Sequence, residues 1–138
     1  MRTALAAKVF LALTCMVVAF QLGLAAGAPW GELTMGGAVH GQLPARMRAT
    51  AFGSAVLLTV FGAIVAARAR LAFPRWRRAS RWLIWVVAAY SMVGVVLNAM
   101  TPSPRERILW LPVAVVLAVC SVIVARADCD ESIASRSK

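Results

Sequence analysis

Four stretches free of charged residues punctuate the chain: Val9–Ala28, Ala49–Ala67, Trp82–Met100 and Ile108–Ala125. They run 20, 19, 19 and 18 residues. At about 1.5 Å rise per helical residue each covers roughly 27–30 Å, close to the ~30 Å hydrocarbon core of a bilayer. Barrel strands are shorter and alternate in polarity, and these stretches do neither. The pattern predicts an all-α fold, a four-helix transmembrane bundle over residues 1–127. The segment 128–138 is polar and mixed in charge, and is expected to be a short disordered tail.

The first stretch has a rival reading. Arg2 and Lys8 precede an apolar run that ends in Ala26-Gly27-Ala28, as in a secretory signal with a cleavage site. The run exceeds the usual signal core, and Pro29 would follow the cut directly. The expectation is that this helix is retained. A lipoprotein signal at Cys15 fits less well, because the apolar run continues well past it.

Composition sharpens the membrane reading. Hydrophobic residues make up 62% of the 138 and charged residues 14%, against roughly 45–50% and about 25% in soluble domains. The net charge of +10 sits in short runs between apolar segments rather than in a basic domain, which argues against nucleic acid as a partner. Lys and Arg divide unevenly: 11 lie in the N-terminus, the turn Arg68–Arg81 and the tail, and four in the other two loops. By the positive-inside rule both termini are expected to be cytoplasmic, and the loops Glu32–Arg48 and Thr101–Arg107 to face outward. In the cytoplasmic turn Arg75, Trp76, Arg77, Arg78 and Arg81 read as an interface belt in contact with anionic lipid headgroups.

The two outer loops should meet at one end of the bundle. They bring Trp30, Glu32, His40, Arg46 and Arg48 near Ser103, Arg105, Glu106, Arg107 and Trp110, with Asn98 and Gln21 just inside the flanking helices. Two acids, one histidine and four arginines are enough for acid–base work, yet the glutamates are most simply ion-pair partners of the arginines. The single histidine excludes a bis-histidine haem or a multi-histidine metal centre within one chain, and Cys15, Cys120 and Cys129 have no metal-type spacing. No cofactor is implied. The cysteines within the spans read as small buried thiols.

No Asp, Glu, Lys, Arg or His lies at the centre of any span, which argues against a proton-coupled carrier of the small four-helix multidrug type. Gln21 shares a helix face with Thr14 and Ala25, and Asn98 with Ser91 and Gly94. Interhelical hydrogen bonding is the simpler expectation for both, and the lining of a polar pocket is the alternative. Gly23-x-x-x-Gly27 is expected to permit close helix approach. Pro112 is expected in the first turn of the last helix, where its missing N–H costs little.

Gly27-Ala-Pro-Trp-Gly31, the loop end Gly41-x-Leu-Pro-x-Arg46 and the run from Asn98 through Pro102-Ser103, Glu106-Arg107 and Trp110 to Pro112 resemble a recurring pattern in small four-span bacterial membrane proteins of unassigned function. Thr101 stands where that pattern usually has serine, a change that keeps the hydroxyl. The resemblance implies a bundle in the bacterial inner membrane whose identity lies in its outer loops. It supplies no substrate, cofactor or mechanism. The expected function is a non-enzymatic multi-pass protein, structural or accessory to a membrane complex or homo-oligomer, with an outer-face polar site. The alternatives are a small carrier or lipid-binding protein with a pocket between the helices, and an enzyme acting on a lipid headgroup through Glu32, His40 or Glu106.

Overall fold

A computed structural model describes the backbone of residues 2–136 and the side chains of residues 2–127. Four helices carry the fold: α1 (Arg2–Ala26), α2 (Ala45–Arg68), α3 (Arg77–Met100) and α4 (Pro104–Arg136), with short 3₁₀ turns at Gly31–Leu33, Met35–Gly37 and Pro74–Trp76. No strand occurs among the described residues. Helices α1, α2 and α3 and the Pro104–Ala127 portion of α4 are each long and apolar enough to cross a membrane. The segment expected to be a disordered tail from residue 128 continues instead as the backbone of α4 to Arg136, and residues 137 and 138 lie outside the described residues.

Each helix extends beyond its charge-free window. Arginine is a good helix former, so Arg46, Arg48, Arg77, Arg78 and Arg81 continue the helices past the hydrocarbon core. Helix α4 starts earlier than predicted for a different reason. Ser103 Oγ accepts the Glu106 amide at 3.3 Å and Pro104 occupies the first helical position, so Ser103-Pro-Arg-Glu106 caps the helix. Pro112 therefore lies inside α4, not in its first turn as expected from sequence.

Helix α1 packs against α2 and α4, and α3 packs against α4 and α2, leaving α1 and α3 across the bundle from each other. The end of the bundle with the chain terminus and the Ala69–Trp76 turn is solid. There Ala7, Phe10, Val65, Ile84, Val87 and Val124 are buried in one cluster drawn from all four helices. At the other end, the loop end, Leu24, Leu43 and Ala51 form a second buried cluster, built from α1, the first loop and α2 alone. Nothing on α3 is buried beyond Ala88. The bundle is therefore packed at one end and splayed at the other.

Helices α1 and α2 meet at Gly62, where a Cβ would lie in ordinary contact, 3.7 Å from the Thr14 methyl. The Gly23-x-x-x-Gly27 pair has another use. A Cβ at Gly23 would lie 2.5 Å from the Trp30 ring, so this glycine seats an indole rather than a helix. Gly27, at φ 102°, terminates α1, with the Ala28 amide donating to the Gly23 carbonyl at 2.9 Å. Of the two described cysteines, Cys120 is buried as expected, whereas Cys15 is exposed on the outside of α1.

Candidate functional site

The first loop, residues 27–44, folds over the loop end and is held there by side chains from the α3–α4 connection. Trp30 stacks on Phe20 of α1 with ring centroids 5.6 Å apart and planes 9° from parallel. Trp110 of α4 meets the same Phe20 at 4.6 Å and donates its indole N–H to the Leu33 carbonyl at 2.8 Å. Arg48 Nε donates to the Ala25 carbonyl at 2.9 Å, which satisfies one of the open acceptors at the end of α1. Arg107 does the same for the Thr101 carbonyl at 2.6 Å.

The two glutamates play different parts. Glu32 pairs with Arg105 across the loops at 3.2 Å, with the two side chains 42% and 77% exposed, so this is a solvated ion pair. Glu106 is half-buried and meets no arginine among the described residues. Its Oε2 accepts the Gly36 amide at 2.8 Å and the Thr101 hydroxyl at 3.0 Å. The expected ion pair is therefore present for Glu32 and replaced for Glu106 by a backbone amide and a hydroxyl. Gly36 sits at φ 76°, a conformation that turns its amide toward the carboxylate and that side chains rarely adopt.

His40 lies 4.0 Å from Glu32 Oε1 and is 82% exposed. With Glu32, Ser103 and Arg105 it edges a shallow open groove on the loop surface. Arg46 is exposed, and its guanidinium has no partner among the described residues.

Beneath this lid, between the splayed helices, lies a cavity of ≈ 310 Å³. Its walls come mainly from one face each of α1, α3 and α4. Thr34, Glu106 and Trp110 line its loop end, and Phe10, Phe61 and Tyr90 its deep end, where Phe61 and Tyr90 meet edge to face at 5.0 Å. From Phe10 to Gln21 on α1 the wall rises about 16 Å, half the thickness of a hydrocarbon core. Thr14, Gln21, Ser91 and Asn98 add polar groups to an otherwise apolar wall.

No family model, curated protein or solved structure matches this chain. Its chemistry rests on its own geometry.

Gln21 and Asn98 depart from the interhelical bonding expected of them. The Asn98 amide donates to the Gly94 carbonyl of its own helix at 2.7 Å, and Ser91 likewise bonds back to Val87 at 2.8 Å. Gln21 makes no hydrogen bond among the described residues. The splay between α1 and α3 leaves no facing partner within reach, and both amides line the cavity instead. Thr14, Thr34 and Thr101 belong to the site and were not among the sequence candidates. Thr101 had a signal only in the recurring pattern from Asn98 to Pro112, which keeps a hydroxyl at that position.

The sequence candidates for the polar site lie at one end of the molecule but divide between two places. Glu32, His40, Ser103 and Arg105 edge the outer groove, whereas Gln21, Asn98, Glu106 and Trp110 line the inner cavity. Arg48 and Arg107 are fasteners of the lid. At the opposite end Arg75, Trp76, Arg77, Arg78 and Arg81 are all exposed around the turn that joins α2 to α3.

Proposed function

We propose that this chain is a small multi-pass protein of the bacterial inner membrane that binds an amphiphile in the cavity between its helices, acting by binding rather than catalysis. The carrying observation is the cavity itself, ≈ 310 Å³ with Gln21 on its wall and Thr34 and Glu106 at its loop end. Its size lies at the small end of the roughly 300–1,000 Å³ range of ligand pockets, and its mostly apolar lining with a few polar groups matches their usual character.

An enzyme on lipid headgroups would gather its acid and base at one point. Here His40 and Glu32 meet only in the solvent-exposed outer groove, while the cavity holds Glu106 without a histidine beside it, which supports the binding reading. The Lys and Arg asymmetry, 11 against four, supports a cytoplasmic position for the termini and an external one for the lid. The exposed Arg75, Arg77, Arg78 and Arg81 then stand where anionic headgroups of the inner leaflet would meet them.

The reading is tested by native mass spectrometry of the full chain after mild detergent extraction. Gly94 lines the cavity and a Cβ there meets nothing within 4 Å, so Gly94→Leu is the variant chosen to fill the space. The expected result is a bound small molecule on the wild-type chain that is absent from Gly94→Leu. Bare chain in both, or the same adduct in both, overturns the reading.

A further inference from the structure

The lining of the cavity holds one carboxylate, Glu106, and no cation, and this restricts the head of any molecule that enters it. Oε2 of Glu106 is occupied by Gly36 and Thr101, while Oε1 has no protein partner among the described residues. Asn98 has committed an amide N–H to Gly94, and the Ser91 hydroxyl has committed its proton to Val87. What remains on those side chains is chiefly oxygen lone pairs, together with the second amide proton of Asn98. Gln21, Thr34 and Tyr90 each present both donor and acceptor.

Cations are kept out of the cavity wall. Arg48 is spent on the Ala25 carbonyl, Arg107 on the Thr101 carbonyl and Arg105 on Glu32. None of the arginines lines the cavity. A phosphate or carboxylate brought there would face the half-buried Glu106 carboxylate with no counter-charge on the cavity wall.

A second observation comes from α1. Thr14 is 4% exposed, lines the cavity, and its hydroxyl has no hydrogen-bond partner among the described residues. A helical threonine ordinarily bonds back to a carbonyl of the preceding turn, and a buried hydroxyl without a partner is costly. A hydrocarbon tail beside it cannot accept that proton, so Thr14 marks open space at this level of the wall and makes no contact with the ligand's head.

We infer that the ligand is a single-chain amphiphile whose head donates hydrogen bonds, an ammonium or a hydroxyl, and carries no negative charge. The head meets Glu106 Oε1 and the Asn98 side-chain oxygen beneath the lid. The apolar tail runs toward Phe10 and Phe61, past Thr14. This rests on the proposed function above and adds the chemical class of the ligand.

The test uses the full chain in detergent and four probes with the same dodecyl tail: dodecylamine, dodecanol, dodecanoate and dodecyl phosphate. The tail is about as long as the cavity is deep. Binding is read as saturable quenching or enhancement of tryptophan fluorescence, with Gly94→Leu as the reference for non-specific partition. Amine and alcohol should bind saturably, the amine roughly 10-fold tighter because a charge-assisted hydrogen bond is about twice as strong as a neutral one. The two anions should match the Gly94→Leu reference.

Glu106→Gln should erase most of the amine's advantage. The amine-to-alcohol ratio is taken within each variant, so a loosened lid shifts both probes alike and leaves the ratio interpretable. If the anions bind as tightly as the amine, or Glu106→Gln leaves the ratio unchanged, the donor-head inference falls while the cavity reading stands. If no probe binds above the Gly94→Leu reference, both fall.

Discussion

Glu106 and Gly36, seventy residues apart in the chain, meet where the carboxylate accepts the glycine amide at 2.8 Å. This contact fastens the first loop to the start of α4 and sets the roof of the cavity. A capping-box glutamate ordinarily folds back on its own helix start. Here Ser103 keeps its half of the box, and the Glu106 side chain is turned to the other loop. Glu106→Ala leaves the Gly36 amide without its acceptor. Hydrogen bonds to a charged group contribute about 1.5–3 kcal/mol each, so the variant should lose about 2–4 kcal/mol in a detergent unfolding titration. Glu32→Gln, at an exposed pair, should lose about 0–1 kcal/mol. Equal losses would make Glu106 an ordinary surface acid.

Gly23 is predicted to be intolerant of any side chain. Its Cβ would enter the Trp30 ring, whereas a Cβ at Gly53 meets nothing within 4 Å. Gly23→Ala should displace Trp30 from Phe20 and cost about 1–3 kcal/mol, the usual range for overpacking. Gly53→Ala should be neutral or stabilising by up to about 1 kcal/mol, from the better helix propensity of alanine. Near-ultraviolet circular dichroism reports the Trp30–Phe20 stack directly. An unchanged spectrum in Gly23→Ala would contradict the packing described.

The indole of Trp110 serves the lid through its N–H as well as its ring. Trp110→Phe keeps an aromatic ring beside Phe20 but strands the Leu33 carbonyl. The expected loss is about 1–2 kcal/mol, accompanied by faster hydrogen exchange of the Gly36 and Gly37 amides. Exchange unchanged across the first loop would show that Trp110 does not hold it.

Topology is testable at two exposed alanines, Ala38 in the first loop and Ala79 near the start of α3. In a chain without Cys15, Cys120 and Cys129, single cysteines at these positions should react with an impermeant maleimide from opposite sides of the membrane. Reaction of both from the same side would refute an orientation in which the lid is external.

Much of the fold was legible because bilayer thickness fixes span length, and Arg68–Arg81 and Thr101–Arg107 mark the turns. Helix ends were less so. A charge-free window measures hydrocarbon depth, while Arg46, Arg48 and the Ser103 cap carry helices beyond it. The meeting of the two loops followed from antiparallel topology. The partner of Glu106 did not, because a backbone amide is offered by nearly every residue and only the turn at Gly36 aims this one. Asn98 and Gln21 misled for a related reason. Their interhelical bonding presupposed a bundle packed along its whole length, and the splay of α3 past Ala88 depends on summed packing that no single residue announces.

The central claim is that a hydrocarbon tail enters the bundle beneath the lid, beside Trp110, rather than only coating the lipid-facing surface. It is tested most directly in a chain whose sole tryptophan is Trp110, with Trp30, Trp76, Trp82 and Trp85 changed to phenylalanine. Fluorescence is titrated with dodecylamine brominated on its chain, with and without Gly94→Leu. A cavity site predicts quenching that saturates at one equivalent and is abolished by Gly94→Leu. Quenching that rises in proportion to the brominated fraction of the micelle, and is the same in both chains, would place the tail outside the bundle and contradict the account.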